Sequence, residues 1–118
     1  MASGTTMWLH ARVTSGSQTV DMGTIPKGAY VVRGSMETRT AWNASGSDSV
    51  RCGFSGTPQA YITNTDVSSV AVHAVTLGAS IGLQTVARTV QASYVAGSGT
   101  PTQGTTDVYL EIFIARAP

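Results

Sequence analysis

The stretch that decides the fold runs from Gly23 to Asp66 and reads GTIPKGAYVVRGSMETRTAWNASGSDSVRCGFSGTPQAYITNTD. It opens with an IPKG turn at residues 25–28, where Pro favours the turn and Gly makes a positive φ inexpensive. Residues 29–42 then run without a chain breaker except Gly34. This pattern predicts a long strand. A glycine inside a strand also predicts a bulge or a close approach by another backbone.

Side chains along this long strand alternate in character, and the pattern predicts that its even-numbered residues face the core. A polar turn at 43–49 follows, and then a half-buried strand at 50–54. The turn SGTP at 55–58 precedes a short strand, QAYIT, in which Tyr61 or Ile62 faces inward. The even-numbered residues expected to face the core are Tyr30, Val32, Gly34, Met36, Thr38 and Thr40.

Strands are predicted on both sides of this stretch, because apolar residues alternate there as well. We expect the strands over 7–14 and 18–25 to form a hairpin. The segment after Asp66 fits a capped helix or a strand, and its β-branched residues favour a turn at 64–69 and a strand near 70–76. The last two strands are expected over 86–95 and 107–115, on either side of a long exposed loop at 96–106.

These seven or eight strands, with turn signals between them and no convincing long helix, predict an all-β protein. We expect a β-sandwich with a jelly roll as the first choice of topology, although one sequence does not reveal strand order. Residues 1–6 are small and polar and are expected to form a flexible N-terminal arm, with a single β-sandwich domain over 7–118. The strand at 107–115 is partly apolar on both faces, so we expect it to be central in a sheet or to lie at an interface.

Charge is scarce in this chain. Only 11% of its 118 residues are charged, against about 25% in ordinary soluble domains. The net charge is +1 and the seven basic residues are scattered, whereas a nucleic-acid partner requires a concentrated run of Lys and Arg. No apolar run approaches the roughly 20 residues that a membrane helix needs, and the first residues lack the features of a signal peptide. We therefore expect partners among proteins, and neither nucleic acid nor a membrane.

No catalytic or metal-binding set stands out in the sequence. His10 and His73 each lie on a predicted strand among apolar neighbours and are interpreted as surface or packed side chains. A zinc site needs three or four suitably spaced ligands, which one cysteine and two distant histidines do not supply. Cys52 is in register with core residues and is interpreted as a small core side chain. We expect no enzyme activity and no cofactor, while loop Asp and Asn residues leave calcium binding open.

The aromatic residues are the best candidates for contact with a partner. Trp8 and Trp42 lie at predicted strand ends among small polar residues, where an exposed Trp is typical of an interface anchor; a core role is an equal alternative for each. Tyr109 and Phe113 lie on the second face of the last strand. These four residues are the interface candidates. In a different class of function, carbohydrate binding, Trp8, Trp42 or Tyr30 would stack on sugar rings.

The stretch around residues 20–70 resembles small structural proteins of tailed bacteriophages. In those proteins a turn introduces a long strand that ends in an aromatic residue, and a polar loop and a glycine-containing strand follow. The matching segments here are GTIPKGA (23–29), VVRGSMETRTAW (31–42), VRCGFSGTP (50–58) and AYITNTDV (60–67), and TDVYLEIFI (106–114) is also in keeping.

The resemblance implies a non-enzymatic virion protein with a jelly-roll or related β-sandwich fold. Its implied role is that of a capsid decoration or cement protein, a homotrimer that binds the major capsid protein on the outer surface of the capsid and stabilises the lattice. A tail, neck or fibre component of a phage is the alternative from the same source. A carbohydrate-binding β-sandwich module is the alternative from a different class.

Overall fold

A computed structural model describes residues 3–116, and its regular structure within that range consists of β-strands. Among the described residues, no helix is long and apolar enough to cross a membrane. The strands are β1 Ser3–Thr14, β2 Thr19–Ile25, β3 Tyr30–Thr40, β4 Asp48–Phe54, β5 Thr57–Asp66, β6 Ala71–His73, β7 Gly82–Leu83, β8 Arg88–Ala96 and β9 Thr105–Arg116.

The strands form two antiparallel sheets that pack face to face. One has five strands in the order β1-β9-β3-β6, with β7 also paired to β3, and the other has four in the order β2-β8-β4-β5. The pairs are nested: β1 with β9, β2 with β8, β3 with β6 and β7, and β4 with β5 at the centre. The chain is thus one long antiparallel hairpin rolled into a sandwich, which is the jelly-roll topology. The predicted all-β jelly-roll sandwich is confirmed.

The core lies between the sheets and uses alternate residues of the strands. Val108, Leu110 and Ile112 of β9 are fully buried, and the strand lies between two others, which agrees with the first of the two alternatives predicted for it, a central position in a sheet or a place at an interface. The prediction that even-numbered residues of β3 face inward is correct for Met36 and wrong for Tyr30 and Val32. The other large, fully buried side chains are Val13, Ile25, Val31, Val50, Tyr61, Ile62, Val67 and Val90.

A register shift in β3 explains that partial failure. Between Val31 and Arg33 the pairing with β9 moves by one residue, and an extra residue of this kind reverses which side chains face inward. Val31 is therefore buried, while Tyr30 and Val32 are 41% and 44% exposed. The predicted bulge exists, but it lies at Val32 and not at Gly34.

Gly34 marks a close approach, although the nearest neighbour is a side chain and not the backbone that its position in the strand predicted. A Cβ built at this residue would lie 2.9 Å from Cγ1 of Ile62 and 3.1 Å from the carbonyl oxygen of Tyr109. The neighbour that approaches most closely is thus a side chain of the opposite sheet. Ile62 fills the space that a β-carbon would take, and the sheets pack closely at this point.

The predicted hairpin of the first two long strands is wrong. β1 pairs with β9 and β2 pairs with β8, so the two strands lie in opposite sheets. In the turn between them, only Thr14 and Ser17 pair with each other. The chain then crosses to the second sheet, where the amide of Tyr94 donates a hydrogen bond to the carbonyl of Gln18 at 2.8 Å. Each strand has one apolar face, and placing them in opposite sheets buries both faces in the same core.

The N-terminal strand begins earlier than predicted. Ser3–Thr6, expected to belong to a flexible arm, pair with the last residues of β9, because that long strand offers backbone partners along its whole length; residues 1 and 2 lie outside the described part of the chain. The strand expected near 70–76 is reduced to Ala71–His73. Val70 and Val72 there are 64% and 70% exposed, so their alternation does not mark a buried face.

Trp42 joins the two sheets at one end of the sandwich. Its ring is 3% exposed and stacks on the ring of Tyr94 in the other sheet, with centroids 3.9 Å apart. Its indole N–H donates to the hydroxyl of Thr106 at 2.9 Å, and that hydroxyl lies 3.0 Å from the hydroxyl of Thr38. Burial, together with the hydrogen bond to Asp48, raises the pKa of Tyr94. The polar groups of this buried cluster satisfy one another, as burial requires.

Replacing Gly104 by Ala should destabilise the protein by about 2 kcal/mol or more, through ring displacement and backbone strain. Gly104 has a φ of 153°, and a Cβ there would lie 2.6 Å from Cε2 of Trp42. Urea unfolding measures the loss, and near-ultraviolet circular dichroism should report the disturbed stack on Tyr94. Gly28→Ala is the matched control, because its φ of 91° carries similar strain but no atom lies within 4 Å of the new Cβ. Equal losses in the two variants would contradict the role assigned to the Trp42 ring.

Candidate interaction surface

The outer face of the five-stranded sheet collects most of the polar and aromatic residues of the long strands. Because β9 buries its even-numbered residues, its odd-numbered residues point outward. The register places Trp8 and Arg33 on either side of Glu111, and His10 and Ser35 on either side of Tyr109. These cross-strand rows define the face, which we divide into a charged end around Asp107 and an apolar end around Phe113.

Three basic side chains converge on Asp107 at the charged end. Its carboxylate accepts hydrogen bonds from Nε and Nη2 of Arg12 at 2.9 and 3.2 Å and from Nε of Arg39 at 2.5 Å, and it lies 3.0 Å from Nε2 of His10. The Asp107 side chain is only 1% exposed. The hydrogen bonds from Arg12 and Arg39 hold the pKa of Asp107 far below its usual range, against the opposing effect of burial. Asp107 in turn raises the pKa of both arginines.

Further contacts fix the geometry of this end. The ring of His10 stacks on Tyr109 with centroids 4.9 Å apart. Arg39 also reaches Glu37, with 3.2 Å between Nη2 and Oε1, and Arg33 pairs with Glu111 in the next row, with 2.6 Å between Nε and Oε1. The basic residues of this face are therefore engaged with carboxylates of the same face. The result is a surface whose charged side chains are paired with one another.

The apolar end is formed by Trp8, Tyr30, Leu83 and Phe113. Tyr30 lies in register with Phe113 on one side and with Leu83 on the other, and its ring centroid is 6.5 Å from that of Phe113. Trp8 lies one row further along. Trp8, Tyr30 and Leu83 are 46%, 41% and 53% exposed. Several large apolar side chains that share one sheet face and remain accessible are typical of a surface that contacts protein.

The structure brings three of the four predicted interface residues together. Trp8, Tyr109 and Phe113 lie on this outer face, but Trp42 does not, because it is buried between the sheets. For Trp42 the core alternative is therefore the correct one. The burial of Cys52 raises the pKa of its thiol to about 12, in keeping with a core side chain.

Sequence reasoning missed the cluster around Asp107. The sequence pattern does not single out this residue, whereas the structure surrounds it with Arg12, Arg39 and His10. The three donors come from β1 and β3, at sequence separations of 68 to 97 residues. The only local signal was an acid at the start of a strand whose even-numbered residues from Val108 to Ile114 are apolar. Among the residues that the structure describes, no three His, Cys, Asp or Glu side chains come together as metal ligands.

The fold and this face define a small jelly-roll β-sandwich with one sheet whose outer face carries paired charges and an exposed aromatic end. The structure is similar to a chain of the cyanophage Pam1 capsid asymmetric unit, with a TM-score of 0.70 and 16% identity over 94% of this chain and 86% of that chain. It is also similar to a chain of the acidic stable capsid structure of Helicobacter pylori bacteriophage KHP30, with a TM-score of 0.61 and 16% identity over 100% of both chains. The resemblance to phage structural proteins is thereby confirmed at the level of the fold. No family model and no curated protein sequence matches this chain.

Replacing Asp107 by Asn should lower the free energy of unfolding by about 2 kcal/mol at pH 7, because a neutral amide loses the charged hydrogen bonds. The pKa of Asp107 is lower in the folded chain than the value of about 3.9 in an unfolded chain. Its contribution is therefore complete above about pH 5 and is lost as the pH falls through the folded-state pKa. Urea unfolding between pH 7 and pH 2 should show the gap between wild type and variant narrowing below about pH 4.

Asp21→Asn is the control for this titration. Asp21 lies on an exposed strand and accepts one hydrogen bond, from Nε2 of Gln91 at 3.0 Å. Its replacement should change stability by less than about 0.5 kcal/mol at pH 7. A gap between wild type and Asp107→Asn that stays constant down to pH 2 would refute the assignment of this linkage to the Asp107 carboxylate.

Proposed function

We propose that this chain is a non-enzymatic virion structural protein, a capsid decoration protein that binds the major capsid protein on the outer surface of the capsid and stabilises the lattice. The observation that carries the proposal is the shared jelly roll with chains of two phage capsid structures. Those chains are covered over 86% and 100% of their own length. The similarity therefore extends over nearly the full length of both of those chains.

The outer face of the five-stranded sheet supports contact with another protein. Its charged groups are paired with one another, so docking does not leave an isolated charge to be desolvated. Trp8, Tyr30 and Leu83 offer accessible apolar area whose burial is favourable. We propose that Tyr30, Leu83 and Phe113 contact the major capsid protein at the joints between its subunits.

Stabilisation of a lattice by such a protein rests on many weak contacts that act together. A copy that spans a joint contacts the capsid subunits on both sides of it. Those subunits then separate only if their contacts with that copy also break. The homotrimer that the sequence resemblance implies is part of this proposal, because three linked copies bind with a higher effective concentration than one. A homotrimer requires a molar mass that is a multiple of three chains.

The decisive experiment adds the purified protein to capsids that lack it, prepared from the phage that encodes it. Wild-type protein should bind to saturation and raise the temperature at which the capsids dissociate. Tyr30→Ser combined with Leu83→Ser should weaken binding by about tenfold or more, since buried apolar anchors carry much of an interface's energy. Sedimentation measures binding, and scanning calorimetry measures capsid stability.

Val70→Ser combined with Val72→Ser is the matched control. It removes exposed apolar area from the β6 edge, away from the apolar end, and should leave binding unchanged. Immunogold labelling of intact virions separates the alternatives: label on the tail or neck would favour a tail component and overturn the decoration role. Binding to a glycan array without binding to capsids would favour a carbohydrate-binding module.

A further inference from the structure

β1 is a long sheet edge that nothing covers among the residues the structure describes. The edge at β5 is covered by residues 76–80, whose backbone bonds to it, for example from the amide of Gly78 to the carbonyl of Tyr61 at 2.8 Å. β2 is interrupted by a bulge between Asp21 and Gly23, and β6 and β7 have three and two residues. Proteins cover, interrupt or shorten their edge strands in these ways, because an uncovered edge strand can pair with a strand of another chain. β1 has twelve residues and an unbroken register with β9.

Two contacts at the end of β1 reveal which of its backbone groups point away from β9. Thr14 exchanges both backbone hydrogen bonds with Ser17, at 3.1 and 3.0 Å, whereas the amide of Ser15 donates to the carbonyl of Gly104 on the β9 side at 3.2 Å. Backbone direction alternates along an antiparallel strand, so the even-numbered residues direct their N–H and C=O groups to the free side. Before Thr14 these residues are Gly4, Thr6, Trp8, His10 and Arg12, and no described residue bonds to their backbone there.

We propose that this free edge pairs with the same edge of a second copy of the chain, antiparallel about a two-fold axis that passes through Trp8. In an antiparallel pair, the residue numbers of any two opposite residues add up to the same total. That total is even here, because only even-numbered residues direct their backbone N–H and C=O groups to the contact. With the axis at Trp8, each Trp8 faces the other, Thr6 faces His10, and Gly4 faces Arg12. Every free donor and acceptor of these five residues then has a partner.

The neighbouring registers satisfy the edge less well. Moving the axis to Leu9 sets Gly4 against Thr14, whose backbone groups are already bonded to Ser17. Moving it to Met7 leaves Arg12 without a partner among the five residues. Within the described part of the chain, the free run from Gly4 to Arg12 is centred on Trp8, so the axis at Trp8 pairs more of the described backbone groups than either neighbouring register.

The side chains of β1 suit this register. The two Trp8 rings, each 46% exposed in the isolated chain, become a cross-strand aromatic pair on the outer face. On the inner face Met7, 40% exposed, lies opposite Leu9 of the second copy. β1 contains the basic residues His10 and Arg12 and no acid, so a self-pair must keep the two Arg12 side chains apart. The proposed register places each Arg12 opposite a glycine.

This contact goes beyond the proposed capsid role and does not rest on it. It is isologous, so it joins copies in pairs and cannot by itself build a trimer. In solution it makes a dimer, or a hexamer if trimers also form through another surface. On a lattice it would link neighbouring copies into a continuous sheet across their two-fold axis.

Cysteine cross-linking tests the register. Thr6→Cys and His10→Cys are made separately, and each variant is oxidised alone and in a mixture with the other. The opposite positions of a hydrogen-bonded pair have Cα atoms about 5.5 Å apart, which suits a disulfide. We expect a covalent dimer in the mixture and not in either variant alone. Cross-linking of a single variant to the same extent would overturn the register. Wild type, whose Cys52 is buried, is the control for background oxidation.

Light scattering tests the contact without a cross-link. The mass of wild type should be a multiple of two chains, and Thr6→Pro should halve it, because proline removes an edge-facing N–H without removing a bond to β9. Thr6→Val keeps that N–H and should keep the wild-type mass. A wild-type monomer, or an oligomer that Thr6→Pro leaves intact, would overturn the proposal. Capsid binding by the Thr6→Pro protein, measured separately, reports on the proposed function independently of this contact.

Discussion

β9 is the strand on which the rest of the structure depends. It lies between β1 and β3, so the backbone groups on both of its sides are used in pairing. Its even-numbered residues supply Val108, Leu110 and Ile112 to the core, and its odd-numbered residues supply Asp107 and Glu111 to the outer face. Both side-chain sets are constrained, because a shift of one residue would exchange the apolar set with the charged set. The position of this one strand therefore fixes both the interior of the sandwich and the pattern of residues on the outer face of its sheet.

The rolled hairpin explains where the chain is closely packed and where its backbone groups remain unpaired. Nested pairing brings distant segments together, and the buried cluster around Trp42 and Tyr94 joins the two sheets at one end. Gly34 and Gly104 lie where a neighbouring side chain occupies the place of a β-carbon. The same topology leaves β1 at the side of its sheet with one row of backbone groups unused. A closed core and an open edge are thus two consequences of one arrangement.

The outer face relates this architecture to the proposed role. Burying Asp107 is tolerable because Arg12, Arg39 and His10 surround it, and the cluster links β1, β9 and β3 through their side chains. A face with satisfied charges and an aromatic end is well suited to lie against another protein. The free edge of β1 pairs in the plane of the sheet, whereas the proposed capsid contact lies on the outer face, so the two contacts share only Trp8 and can coexist. Together they would let a small domain bind a lattice and bind its own copies.

The sequence by itself determined the strands, because alternation, turn residues and low charge are local properties. The all-β class, the strands through Val50 and Val90, and the central position of the last strand could all be predicted from it. Only the tertiary structure decided which strands are neighbours, since pairing between β1 and β9 joins residues about a hundred positions apart. For the same reason it alone revealed the shift at Val32, the burial of Trp42, the arginines around Asp107 and the uncovered edge. Each of these features depends on which residue lies on the neighbouring strand or on the opposite side of the core. The local sequence pattern does not specify that residue.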